Sequence, residues 1–266
     1  GGALEELGYD CQTVGITSTG TNSALDTIRG AEELANRDCI ATLILGGDGT
    51  SRAFVKGWRD AVMLPLSTGT NNVFPRMSEA TVAGMALGIL AAGGVSLEET
   101  AVPVKIIDVE IEGESPDIAL IDAVVTTDQF IGARALLDGE MIERILLTRA
   151  EPTSVGMTSV GGLIRPLSDE EDLGLHLVLG KGGRSKVHAP IAPGMFETLS
   201  IRQCSTLNFD ETVEFEGPCV LAFDGERERE IQAGQRVTMR VSRNGPSVLD
   251  IPRTMQLAAC RKWFKY

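Results

Sequence analysis

A chain of 266 residues, 43 % of them apolar, has enough material for a sizeable core in one large domain or two smaller ones. Its 24 basic and 37 acidic residues leave a formal net charge of −13. That charge repels phosphate backbones and argues against a nucleic-acid partner, while small phosphorylated ligands need only a local positive site. The best membrane candidate, Val82 to Val95, is about a third too short to span a bilayer and is broken by glycines.

No signal-peptide pattern is present. Cys11, Cys39, Cys204, Cys219 and Cys260 show neither Cys-x-x-Cys nor metal spacing, and read as reduced thiols of a cytoplasmic protein. Two histidines leave little material for a His-based metal site or a Ser-His-Asp triad. The chain opens Gly1-Gly2 without Met, so a preceding segment is expected.

Residues 23–35 place Leu25, Ile28, Ala31 and Leu34 on one helical face, with Asn22 or Ser23 as cap. "CIATLIL" (39–45) is short, apolar and uninterrupted, as in a parallel strand buried on both faces. "TSRAFVKGW" reads as helix, "AVMLPLS" (61–67) as a second buried strand, and "SEATVAGMALGILAAGG" as an apolar helix stopped at Gly93-Gly94. Alternating helix and strand predict an α/β layer over 1–101.

Beyond Pro103 the period changes. "VKIIDVEIE" alternates with a slip at Ile106-Ile107 that predicts a bulge. "LGLHLVL" (173–179) and "RVTMRVS" (236–242) alternate cleanly. Residues 102–250 therefore read as an antiparallel, β-sandwich-like domain. Residues 251–266 turn helical again and are expected to return to the first domain.

The chemistry concentrates in "ATLILGGDGTSRAF" (41–54), where an apolar strand ends in Gly46-Gly47-Asp48-Gly49-Thr50. Open α/β sheets bind ligands beyond the carboxyl ends of their strands. Glycines let backbone approach a ligand and take positive φ, and the following helix N-terminus favours phosphate. A carboxylate there suits proton removal from an attacking hydroxyl, or help in holding Mg²⁺ against phosphates. The structural alternative is a tight strand-to-helix turn capped by Asp48 or Thr50. No Walker A motif occurs.

"GGDGT" resembles the signature shared by NAD kinases, diacylglycerol-type lipid kinases and, more distantly, phosphofructokinases. "PTSVGMTSVGGLI" (152–164), "APIAPG" (189–194) and "AFDGE" (222–226) follow in the order of the NAD-kinase motifs. With "LPLSTGTNNVFP" (64–75), "EATVAG" (79–84) and "DGERE", the chain resembles the acetoin-catabolism protein X (AcoX) branch of the ATP-NAD kinase-like family. That resemblance implies an α/β domain, a β-sandwich-like domain and an interdomain active site completed by a neighbouring subunit, in a homodimer or homotetramer. It also implies a strand with its own phosphate loop before Gly1.

By the same resemblance, Asp48 is the base toward a ribose hydroxyl. Gly46, Gly47, Gly49 and Thr50 cradle phosphate. Thr68, Gly69, Thr70, Asn71 and Asn72 face the same cleft, although ordinary turn chemistry also accounts for Asn71-Asn72. Asp122, Thr153 and Ser154 fall at nucleoside contacts. Asp224 is either a hairpin-turn residue or a Mg²⁺ ligand. ATP is the implied donor and NAD a possible acceptor.

The departures are Ile121 for an amide, Gly156 for an aromatic ring and Gly194 for a histidine. His188 is a substitute or a solvated strand-end residue, and His176 is expected to point outward. The leading function is an NAD kinase-like phosphotransferase linked to acetoin catabolism. A lipid kinase and a non-catalytic nucleotide-binding accessory protein are the alternatives.

Overall fold

A computed structural model describes residues 15, 20–127 and 139–265, so the expectation for Cys11 lies outside the described residues. Helix α1 (Ala24–Ala35) opens on Ser23, whose hydroxyl accepts the Leu25 amide at 3.3 Å. It packs against α2 (Asp48–Gly57) so closely that a Cβ on Gly57 would lie 2.2 Å from the Ile28 carbonyl oxygen. Strands β1 (Thr42–Gly46) and β2 (Val62–Ser67) pair in parallel. The sheet runs β1-β2-β15-β3, with β15 (Ser247–Leu249) parallel to β2 and β3 (Ala101–Pro103) antiparallel to β15. The chain thus re-enters this sheet at Ser247, just before the boundary expected at 251.

Helix α3 (Ala80–Ala91) and the C-terminal α6 (Ile251–Cys260) cover one face of the sheet, closing Ala83, Ala86, Ile89 and Ala258 over Leu64, Leu66 and Leu249. Short helix α4 (Leu97–Thr100) links α3 to β3. Asp250 caps α6 by accepting the Arg253 amide at 2.9 Å, and Arg261 donates to the Gly94 carbonyl at 2.8 Å. This cover stops short of β1. Leu43 and Leu45 are 40 % and 62 % exposed while Ile44 is buried, so β1 is not covered on both faces as expected, because it is the outermost strand among the described residues.

The second region is a sandwich. One sheet has seven strands: β6 (Asp122–Thr126), β7 (Ile142–Leu147), β8 (Leu173–Leu179), β9 (Ser185–Ala192), β10 (Met195–Asn208), β12 (Cys219–Phe223) and β13 (Glu226–Ile231), in the order β13-β12-β6-β7-β8-β10-β9. A four-stranded sheet packs on it: β4 (Ile106–Ile111), β5 (Asp117–Ala119), β11 (Thr212–Glu216) and β14 (Arg236–Ser242), ordered β11-β14-β4-β5. Val109, Leu146, Leu221 and Val241 fill the space between them. Helix α5 (Met157–Gly162) covers the other face of the larger sheet over Leu147 and Leu175.

Two expectations fail here for packing reasons. The register of β4 on β14 is continuous from Ile106 to Ile111, so there is no bulge. Both isoleucines are buried because Ile106 faces the α/β core and Ile107 the sandwich. His176 does not point to solvent. It is 8 % exposed opposite Leu146, which belongs to the sandwich interior, and burial pushes its imidazole down to about 4.

The two regions share a core: Val104, Ile106, Ile118, Leu120 and Ile121 pack with Ile44, Phe54, Met63 and Phe74. No helix among the described residues is long and apolar enough to cross a membrane.

Candidate active site

The strand β1 delivers Gly46 and Gly47 to the first turn of α2, where Asp48 is the first helical residue and Gly47 the cap. Asp48 does not cap its own helix. Its Oδ1 accepts the amides of Phe74 at 2.8 Å and Val73 at 3.1 Å, and Oδ2 shares the Val73 amide at 3.1 Å. A carboxylate has about four acceptor positions, so one lone pair on Oδ2 stays open to a ligand hydroxyl. Burial pushes the Asp48 carboxyl above its ordinary range, opposed by the Phe74 and Val73 amides and by Arg149. A raised pKa improves a carboxylate as a base.

The glycines serve close approach rather than positive φ, which none of Gly46, Gly47 or Gly49 adopts. A Cβ on Gly46 would lie 2.6 Å from Thr50 Cβ. One on Gly47 would lie 2.7 Å from Asn72 Oδ1, and one on Gly49 3.1 Å from Glu226 Oε1. Asn72 in turn donates to Ser67 Oγ at 2.8 Å, tying the loop after β2 back to the end of that strand. Thr68, Gly69, Thr70 and Asn71 stand exposed above this turn, and Asn71 takes φ +66°.

Two further carboxyls lie beside Asp48. Asp224, at φ +50° in the turn between β12 and β13, directs its carboxylate inward. Its Oδ1 accepts the amides of Leu120, Ile121 and Asp122 at 3.1, 2.7 and 3.2 Å, and its Oδ2 accepts that of Leu120 at 2.9 Å. Burial pushes Asp224 up to about 6, with the Asp48 charge adding to it and Arg52 and the amides opposing. Asp122 is pushed well above the carboxylate range, first by burial and then by the charges of Asp224 and Asp48. One of its oxygens takes the Gly225 amide, while Oδ1 is buried without a partner.

Three backbone amides therefore already hold the Asp224 carboxylate, saturating Oδ1 and taking one position of Oδ2. Among the described residues no group of three His, Cys, Asp or Glu is arranged to hold a metal ion. The donor set does not fit the expectation of Asp224 as a Mg²⁺ ligand. The carboxylate is spent on backbone amides.

A model of the acetoin catabolism protein X C-terminal domain matches residues 105–244. The chain is also 33 % identical over 240 residues to acetoin catabolism protein X of Cupriavidus necator, covering 88 % of this chain and 67 % of that protein. The chain belongs to the acetoin catabolism protein X family. The crystal structure of yeast NADH kinase complexed with NADH superposes with a TM-score of 0.53 at 12 % identity, over 85 % of this chain and 67 % of that one. At that identity the likeness is one of fold: an NAD kinase-like α/β domain followed by a β-sandwich.

In this acetoin catabolism protein X family chain, the Gly46–Thr50 turn, the Thr68–Asn72 loop, Asp122 and Asp224 converge, although they come from two different sheets and distant parts of the sequence. Thr153 is exposed and Ser154 donates to Glu151 at 3.1 Å, on the segment after β7; no contact ties either to Asp48. Ile121, read as a lost amide of the pocket, is 1 % exposed and faces the shared core. Gly156 takes φ +94° with open space where a Cβ would stand.

Sequence reasoning missed Arg149 and Arg52. Arg149 is 3 % exposed, lies 5.7 Å over the Phe74 ring and pairs with Asp169 at 2.7 Å. Asp169 sits in a loop pinned by Lys105, whose Nζ donates to the carbonyls of Ser168, Glu171 and Leu173. Arg52 lies 4.8 Å over the Phe223 ring and pairs with Asp117 at 2.7 Å. The available signal was a charged residue closing an apolar run, as in "ILLTRA", and an arginine one helical turn after Asp48.

Proposed function

We propose that this cleft binds a nucleotide and transfers a phosphoryl group from ATP to a hydroxyl of NAD or a related small acceptor, in the service of the acetoin breakdown for which the C. necator relative is named. The observation that carries the reading is the Asp48 carboxylate. It stands at the carboxyl end of a parallel strand, oriented by two amides, raised by burial, and left with one open lone pair. In that geometry Oδ2 takes the proton of the acceptor hydroxyl as its oxygen attacks phosphorus. The exposed segment Gly69–Asn71 and the α2 N-terminus meet the negative charge that develops. Arg149 tempers the Asp48 pKa through its charge.

Asp48→Asn tests this. The carboxamide oxygen can keep both amides of Oδ1, so folding is preserved while proton acceptance is lost. Turnover of labelled ATP with NAD should fall by about two to four orders of magnitude, with ATP affinity within a few-fold. Turnover within a few-fold of the unsubstituted protein removes Asp48 as the base. A parallel assay with diacylglycerol vesicles as acceptor tests the lipid-kinase reading. Binding of ATP without transfer to any acceptor would instead support a nucleotide-binding accessory protein, the reading favoured by Gly156 standing where an aromatic ring is expected.

A further inference from the structure

We infer that Asp224 is a positioning residue for Asp122, locking the Leu120–Asp122 backbone so that one Asp122 carboxyl oxygen is presented, uncommitted, beside Asp48. The inference deepens the proposed function and rests on the reading that this cleft is the ligand site.

The segment is held from both sides. Its three amides all donate to the Asp224 carboxylate. Its carbonyls are taken in turn: Thr148 Oγ1 donates to Leu120 at 2.8 Å, the Thr148 amide donates to Ile121 at 2.9 Å, and the Asp224 amide donates to Asp122 at 3.0 Å. The side chains of Leu120 and Ile121 are anchored in the shared core. What remains without a partner is Asp122 Oδ1, on a residue 8 % exposed. A buried polar oxygen left unsatisfied carries a desolvation penalty that a fold retains where the group has a task.

The groups facing the pair are Asp48 from α2, Arg52 one turn further along the same helix, and the Gly225 amide from the β12–β13 turn. Turn chemistry alone does not require this arrangement. A hairpin turn between β12 and β13 can form with its side chain in solvent, whereas here the aspartate reaches across to a strand that precedes it by about a hundred residues in sequence.

A double-substitution cycle on the full chain tests the inference, with NADH and ATP as probes in calorimetry. Asp224→Asn and Asp122→Asn should each weaken binding of at least one probe by roughly ten-fold, as loss of a hydrogen bond to the ligand does. The double variant should be no weaker than Asp122→Asn alone, because Asp224 acts through Asp122. Effects that multiply would overturn the inference and leave Asp224 a general structural residue.

If neither probe binds the unsubstituted protein, the proposed function fails but the inference stays testable without ligand, by carbon NMR of aspartate-labelled protein. The Asp122 carboxyl should titrate at lower pH in Asp224→Asn, and an unchanged midpoint overturns the inference. Should Asp224→Asn not fold, Asp122→Asn decides through hydrogen exchange. The Leu120 and Ile121 amides should stay protected in it. Loss of their protection would show that Asp122 holds Asp224, the reverse of the order inferred here.

Discussion

Asp117 is the residue whose loss should be felt most widely. Its side chain is fully buried and meets three cations: Arg52 Nη2 at 2.7 Å, Lys56 Nζ at 3.0 Å and Arg229 Nη2 at 2.9 Å. It also accepts the Ile118 amide at 2.8 Å. Arg52 and Lys56 belong to α2, the helix that begins at Asp48, and Arg229 to β13, so one carboxylate ties that helix to the sandwich. In Asp117→Ala, Lys56 and Arg229 are 26 % and 35 % exposed and can turn to water. Arg52, at 4 % exposure, cannot.

Breaking a buried pair on one side costs about 3–5 kcal/mol. For a chain of this size that is a fall in Tm of roughly 6–20 °C. Urea unfolding with an unchanged slope, alongside a thermal melt, measures it. The loss should persist at high salt because the pair is shielded from screening. Replacing both partners with apolar groups, Asp117→Leu with Arg52→Met, should recover most of it, since the penalty comes from the stranded charge rather than from the missing attraction. A loss below about 1 kcal/mol in Asp117→Ala, or a double variant no better than the single, refutes this account.

The pH dependence of stability should show two opposite windows. Asp48, Asp122 and Asp224 have folded pKa values above their ordinary value of 3.8, so they favour folding at low pH. That contribution is lost as pH rises through about 6, where Asp224 alone accounts for about 2–3 kcal/mol; stability rising steadily from pH 4.5 to 7 would contradict it. Asp117 is held below its ordinary value by Arg52 and Lys56 against burial, so its contribution is present above pH 4 and is lost below it, and a melt series on Asp117→Asn should flatten that acid limb. Ile121→Asn should destabilise the protein by roughly 2–4 kcal/mol rather than rebuild a nucleoside contact, because the amide would enter an apolar core; tighter NAD binding with unchanged stability would show the side chain facing the cleft. Gly84→Ala, in the exposed interior of α3 with no atom within 4 Å of the added Cβ, should raise stability by about 0.5–1 kcal/mol in the same melts, and a loss would mean the helix face is covered.

The sequence by itself determined what is local. The GGDGT turn between a parallel strand and a helix, the helix stop at Gly93, the change of period after Pro103 and the family resemblance were all legible, because each rests on neighbours in the chain or on spacings that the backbone imposes. What depended on distant parts of the chain was not. The side of the core that Ile106 and Ile107 face, the burial of His176 and the inward direction of Ile121 follow from two cores meeting along one strand, and alternation within a strand cannot report which neighbour covers each face.

The site divides the same way. Asp48 was marked by its glycines, yet those glycines were read as making room for a ligand. In the fold they make room for Thr50, Asn72 and Glu226. Asp224 was recognised only as a turn residue or a metal ligand. Its partners are backbone amides, which carry no sequence signature, so only the tertiary structure could show that its carboxylate is already held. Arg149 and Arg52 reach the carboxyl cluster by packing across elements, and charge at a long contact leaves no trace in the spacing of residues along the chain.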